Sequence, residues 1–432
     1  MSSILTNNGA TTALATLKSI NSSIEGTQYQ ISTGKKVHSA ADNAASWAIS
    51  KAMEADVAGF EKISESLSLG QSTVSVARMG AETVTELLTE VKGKIVAAQE
   101  ENVDRDKIQA DISSLREQIG SIVAAASFNG ANLLQNTDQT AGSGTVNVLA
   151  SLDRSTTGVS ASDIAISKQD LGTQAQVVSN SGGTFAASGA TATLNAGQSA
   201  TVDMSSMTVA AGDAFDLQIF GTDADNSSFT QADLRTTAAT ANTQAQMATS
   251  DLAYVARDGD TAADVAKALQ SKWESYASDN SIDASTLSIS ASGSGLSISS
   301  TVTDGTDTIA VTVSTLSAAA GNTVGGGLEN LADIDVTTAA GVDSALTEIE
   351  GLIQTSIDAA ASFGSAQGRL ETQSEFVDKL SGSLKSGIGA LVDTDMEEAS
   401  AKLKALQVQQ QLAVQSLSMA NSAPQQLLSL FR

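Results

Sequence analysis

His38 is the only imidazole in the chain, and cysteine is absent. Nucleophilic catalysis of the Cys–His or Ser–His–Asp kind would have to recruit this one residue. No acid or nucleophile stands near it at a spacing that suggests a triad, and it sits between Lys36 and Ser39 at the edge of a turn, so it reads as a loop side chain. Cys/His zinc clusters are excluded by composition. Asp223-Ala-Asp225, Asp258-Gly-Asp260 and Asp304-Gly-Thr-Asp307 offer the oxygen ligands that calcium prefers. None continues into a ligand ladder with glycine at the sixth position and glutamate at the twelfth, so all three read as solvated turns. Gly325–Gly327 lacks the Lys-Ser/Thr of a phosphate loop and reads as a flexible connector. No catalytic group, metal or cofactor is expected.

What remains must be explained by the elements themselves. The 432 residues hold 23 Lys plus Arg against 48 Asp plus Glu, a net charge of −25 that repels phosphate backbones and argues against nucleic acid and membrane partners. Aromatic residues make up 3% and proline occurs once, as Pro424, so little interrupts long helices. The N-terminus lacks the basic and apolar regions of a cleavable secretory signal, and no run approaches the ~18 apolar residues of a membrane span. The stretch 138–342 stands apart: it carries 22 acidic against 6 basic residues and 19 of the 34 glycines. Its composition is that of strands and turns, whereas both ends are rich in helix formers.

The ends have a period. Val74, Ala77, Ala81, Val84, Leu88, Val91, Ile95 and Ala98 alternate at spacings of three and four, the pattern of a coiled-coil seam, and Met53, Val57, Phe60, Ile63 and Leu67 extend it upstream. With Ser39-Ala-Ala-Asp42 read as a capping box, one helix is predicted over about 40–100, roughly 90 Å long. Further stripes run through Ile108, Ile112, Leu115, Ile119, Ile122 and Ala126, and from Ala345 to Leu384 with polar gaps at Ser356 and Gln373. Three such helices form an antiparallel bundle most economically.

Outside that bundle lie two weaker stripes. Leu14, Leu17, Ile24 and Ile31 are interrupted by Asn21 and Gln28, while Ala399, Leu403, Leu406, Ala413, Leu417 and Ala420 are interrupted by Gln410. Periodicity leaves two readings open, a hairpin capping the bundle or segments that order only against neighbouring subunits. In the middle, Thr201–Val209, Ala214–Phe220, Thr286–Ser290, Gly295–Ser299 and Thr308–Val313 are predicted strands. Thr261–Ala277 is predicted as a helix burying Val265, Leu269, Trp273 and Tyr276. Phe128-Asn129-Gly130 supplies a tight turn. The fold class is a mainly α coiled-coil and helical-bundle core with an inserted α+β, β-rich outer domain.

At residue level the ends resemble the bacterial flagellins. The stretch ISTGKKVHSAADNAASWAISKAM at 31–53 is similar to their N-terminal signature at Gly34, Lys35, Ser39, Ala40, Asp42, Asn43, Ala44 and Ala45. IQADISSLREQIGSIVAAASFNGANLL at 108–134 and SMANSAPQQLLSLFR at 418–432 continue the resemblance, which is strongest to the alpha-proteobacterial type. It implies terminal coiled-coil helices (1–38 and 395–432), a helical rod domain entered through a β-hairpin (39–137 and 343–394) and a surface-exposed variable domain (138–342). It also implies a non-enzymatic subunit that is exported unfolded through a type III channel and polymerises outside the cell into the swimming filament. Its partners would be further copies of itself, the filament cap, hook-junction proteins and an export chaperone. Leu14, Leu17, Ile24, Ile31, Leu403, Leu406, Leu417 and Leu428 would form the polymerisation interface. Glu90 and Lys94 would replace the Arg and Leu through which a vertebrate Toll-like receptor detects other flagellins, while also standing one helical turn apart as a possible solvated pair. Two alternatives remain open: a hook–filament junction protein of the same machinery, and a secreted protein with an unrecognised activity in the central insert.

Overall fold

The fold is given by a computed structural model that describes residues 7–155, 158–195, 199–223, 229–235, 243–302 and 307–429, without the side chains of 153–155, 158–159, 232 and 423–429. Asp225, Asp304 and the side chain of Leu428 therefore lie outside the described residues. In chain order the elements are α1 (Asn8–Thr33), α2 (Ala44–Ala97), α3 (Arg105–Ala125), β1 (Ser127–Phe128), β2 (Ala131–Asn132), β3 (Thr145–Ser155), β4 (Gly158–Ser167), β5 (Phe185–Asn195), β6 (Ser199–Asp203), β7 (Ala214–Thr222), α4 (Gln244–Met247), β8 (Ala253–Val255), α5 (Ala262–Asp279), β9 (Ser288–Ser292), β10 (Gly295–Ser299), β11 (Thr308–Leu316), α6 (Ala339–Val392) and α7 (Met396–Ser429). They divide into two compact units, one from the described parts of 1–65 and 375–432 and the other from 66–374.

Within the 66–374 unit, the heptad stripe of α2 from Val74 to Ala98 is buried at every position. It packs with α3 and α6, both running antiparallel to it: Lys94 meets Asp111 on α3, and Ser356 of α6 donates to the Ala81 carbonyl at 3.1 Å. The two polar gaps of the α6 stripe are thus bonded groups. Ser356 is fully buried and also contacts the Thr85 hydroxyl at 2.9 Å, and Gln373 donates to the Ala150 carbonyl on β3 at 2.8 Å. Ser39–Asp42 proves not to cap α2. The cap is Asn43, whose side-chain oxygen accepts from the Ser46 amide at 3.1 Å and whose carbonyl takes the first helical bond, because Asp42 is already engaged in the preceding turn.

The chain leaves α3 through the β1–β2 hairpin, where Asn129 and Gly130 adopt φ of 50° and 81°, the left-handed pair that a two-residue turn requires. Strands β3 and β4 form an antiparallel hairpin. A four-stranded antiparallel sheet in the order β5-β11-β7-β8 and a three-stranded one in the order β6-β10-β9 share a core with α5. Val265, Leu269, Trp273 and Tyr276 are all buried there, as the predicted face required. Thr261 and Asp264 close a capping box at the start of α5. The predicted strand at Thr201–Val209 ends at Asp203, where the Asp203 carboxylate accepts from the Ser205 amide and turns the chain. Gly325–Gly327 is no flexible connector. Gly326 donates to the Gln174 carbonyl at 2.8 Å, and a Cβ at Gly326 or Gly327 would lie 2.0 Å from the carbonyl oxygen of Gly172 or Asp170, so the triplet lets two backbones touch.

Candidate assembly surface

In the unit formed by 1–65 and 375–432, α1 and α7 lie antiparallel. Asn7 caps α1, accepting from the Ala10 amide at 3.1 Å, and its amide donates to the Ala420 carbonyl at 2.8 Å, tying the start of one helix to the far part of the other. Gly34 ends α1 at φ 70°, and the chain then pairs Lys35 with Asp393 across an isolated bridge. The Thr394 amide donates to the Gly34 carbonyl at 2.9 Å. The end of α1 and the start of α7 are therefore held by one short backbone tie.

Asn21 and Gln410, which interrupt the two stripes in the sequence, meet: the Gln410 amide donates to the Asn21 side-chain oxygen at 2.8 Å. A polar pair in an otherwise apolar seam fixes register at some cost in stability. Along the seam Ile24, Thr27 and Ala399 are buried, whereas Leu17, Ile31, Leu403, Leu406 and Leu417 are half-buried. Leu14 is 45% exposed and stands with Tyr29, Val408, Leu412, Val414 and Met419 among the exposed large apolar side chains, Met419 reaching 67%. Single exposed apolar residues are ordinary, but two paired helices with this many are not. The sequence singled out the seam, with Leu14 on its stripe, and missed Tyr29, Val408, Leu412, Val414 and Met419, which fall off the two stripes.

The remaining candidates are spoken for by local structure. His38 Nδ1 lies 2.7 Å from Asp42 Oδ2, and its ring packs on Tyr29 with centroids 4.2 Å apart. Asp42 also accepts from the Ser39 amide and hydroxyl and from the His38 amide. The Ser39 amide is the largest cause holding its carboxyl below the usual value, and His38 adds attraction. Asp258 accepts from the Gly144 amide at 2.7 Å and Asp260 from the Tyr254 hydroxyl at 2.5 Å, which makes that acidic run a turn and a tie. Among the described residues, no group of three or more His, Asp or Glu is placed to hold a metal. No helix of the described residues is long and apolar enough to cross a membrane. Lys94 does not rely on Glu90: its ammonium hydrogen-bonds Asp111 at 2.5 Å, which is the main cause raising its pKa, with Glu90 a lesser attraction. Glu90 itself is exposed.

Residues 4–139 match the bacterial flagellin N-terminal helical region and residues 340–431 the bacterial flagellin C-terminal helical region. Flagellin A of Rhizobium meliloti is 36% identical over 434 aligned residues that span the whole of both chains. The chain belongs to the bacterial flagellins. It is of the alpha-proteobacterial type, and a flagellin of Brucella melitensis is 26% identical, again over the whole of both chains. Solved structures similar to this flagellin include FlgL from Xanthomonas campestris, 12% identical with a TM-score of 0.31 over 78% of this chain and 99% of that one. Another is FliC from Burkholderia pseudomallei, 14% identical with a TM-score of 0.30 over 69% and 99%. Membership rests on the sequence matches. A flagellin is the structural subunit that self-polymerises into the filament driving motility, and the family builds that filament outside the cell. The full-length flagellin relatives favour neither the junction protein nor a catalytic insert.

Proposed function

We propose that polymerisation proceeds through the paired terminal helices. Leu14, Leu17, Ile24, Ile31, Leu403, Leu406, Leu417 and Leu428 then lie in the innermost layer of the filament, and neighbouring subunits cover the faces that bear Leu14, Val408, Leu412 and Met419. The observation carrying this reading is the set of large apolar side chains left exposed on α1 and α7. Each such side chain gains roughly 1.5–3 kcal/mol on full burial before ordering costs. A half-covered seam multiplied along a filament therefore couples folding of the ends to assembly. Residues 1–38 with 395–432 form the inner core, 39–137 with 343–394 the next shell, and 138–342 the surface facing the medium. The subunit is exported unfolded through the type III flagellar channel, a route that the lack of cysteine leaves free of covalent cross-links. It works outside the cell with the filament cap, hook-junction proteins and an export chaperone, as a structural element and not a catalyst.

Electron microscopy of purified protein under polymerising conditions tests this. The full chain is expected to form filaments, and chains lacking about 1–33 or 400–432 are expected to stay soluble and helical without polymerising. Filaments of normal length from either truncation would refute it. Replacing 150–335 by a short Gly/Ser linker should do less harm.

We infer further that the protein is a weak agonist for the Toll-like receptor that detects flagellin, because two rod positions depart from the flagellins that receptor recognises. Glu90 places a carboxylate where that interface takes a guanidinium, and Lys94 an ammonium where it takes an apolar anchor, at about 2 kcal/mol each. In a reporter assay on monomer the unmodified chain should signal poorly and Glu90→Arg with Lys94→Leu should signal better; potent signalling by the unmodified chain would refute the assignment.

A further inference from the structure

In the 66–374 unit, α5 of the outer body meets α6 of the helical bundle where the Ser275 hydroxyl donates to the Glu348 carboxylate. Glu348 is half-buried. The charged groups acting on it are Lys272 and Asp279 from α5 and Asp333 from the segment that leads into α6, whose Glu329 instead acts on Asp333 and pairs with Lys272; Lys267 and Glu274 of α5 line the same cavity. Lys272 is the cation acting on Glu348, and it is committed elsewhere: its ammonium lies 2.5 Å from Glu329 in a largely buried pair and 3.2 Å from the Asn330 side-chain oxygen. Glu348 is left with a neutral hydroxyl as its partner and carboxylates on either side. A carboxylate withdrawn from water in such company is repelled when ionised and is satisfied by a single proton.

We propose that the contact between α5 and α6 is a proton-operated latch, tight while Glu348 is protonated and loosened when it ionises, so that the outer body grips the bundle more firmly in mildly acidic than in alkaline medium. Burial is the largest cause that pushes Glu348 up, to about 7 from an ordinary 4.5, and the charges of Asp279 and Asp333 add to it against the opposing pull of Ser275 and Lys272. Asp333 is pushed up as well, mainly by burial, so it titrates in the same sense. Because the folded value is raised, the stabilisation is complete below pH 4.5 and is lost as pH rises through about 7. The latch thus works across the pH range that separates acidic from neutral surroundings. It places the control at the joint between the outer strands and the helices, away from the terminal seam.

Amide exchange in α5 of the full-length chain, corrected for the intrinsic pH dependence of exchange, reads the latch directly. Between about pH 5.5 and pH 8, opening of Ala262–Asp279 is expected to rise roughly ten-fold in the unmodified protein. Glu348→Gln imitates the protonated side chain, so its α5 should stay closed at both pH values. Asp279 is exposed at the end of α5, and Asp279→Asn removes one repelling charge without disturbing the core; Glu348 then ionises more readily at any given pH, so the opening transition should move to lower pH and become smaller. The proposal is overturned if Glu348→Gln follows the same pH dependence as the unmodified chain. It is equally overturned if the Asp279→Asn profile superimposes on the original.

Discussion

The α1–α7 pair and the outer core built around α5 both contain helices, yet they are held in different ways. Along the terminal seam Ile24 is buried, while Leu17, Ile31, Leu403, Leu406 and Leu417 are half-covered and Leu14 is exposed. In the outer core Phe215, Leu217, Leu269, Ile298, Ile309 and Val311 have almost no exposed surface, and Trp273 and Tyr276 add buried aromatic bulk, whereas Tyr29 of α1 is exposed. Two helices can cover only one side of each other, whereas α5 lays its apolar face against strands of two sheets that also cover one another, leaving only polar residues such as Asp264, Lys267 and Glu274 exposed. The outer region therefore has the means to stabilise itself, and the terminal pair has surface left over for neighbours.

Hydrogen exchange gives this contrast its largest expected effect. In verified monomer, the amides of β7 and β11 should be protected close to the global limit, and those of Leu14–Ile31 and Leu403–Leu417 should exchange by local opening, orders of magnitude faster. In the filament the terminal amides should become protected too. Equal protection of both regions in monomer would break the comparison. A smaller effect is expected from Gly326→Ala. The added Cβ would press on the Gly172 backbone, at 2.0 Å from its carbonyl oxygen, and should destabilise the outer unit by about 1–3 kcal/mol in denaturant unfolding while leaving polymerisation intact. An unchanged midpoint would show that the backbones do not need this approach. The smallest effect sits in the terminal seam: Gln410→Leu leaves Asn21 without its amide donor and should cost about 1 kcal/mol, and adding Asn21→Leu should recover it with looser register. A double variant as destabilised as the single one would mean that the pair contributes more than register.

Much of this architecture is legible in the order of residues. The run from Val74 to Ala98 declares a buried seam because only one face of a helix carries it, and the structure buries every member. Thr261–Ala277 shows its face for the same reason, since its apolar residues recur every three or four positions. Glu90 and Lys94 show where periodicity stops helping: spacing pairs them along one helix, but Asp111, reached only because α3 packs antiparallel to α2, takes the contact. Strands β3, β4 and β5 went unnoticed because their residues are largely Ala, Ser, Thr and Asp, whose strand tendency is decided by cross-strand neighbours.

The amino-acid sequence by itself determined the helical ends, the acidic strand-rich middle, the lack of residues for Cys- or triad-based chemistry, and membership of the flagellins, because each is written in composition or in short local patterns. Tertiary structure alone decided that Asn21 meets Gln410, that Ser356 and Gln373 are bonded and not gaps, that Gly325–Gly327 is a packed seam, and that Glu348 faces Ser275 among carboxylates. Each of these joins residues far apart in the chain. Their energies depend on distance and burial, and neither quantity exists until the chain has folded.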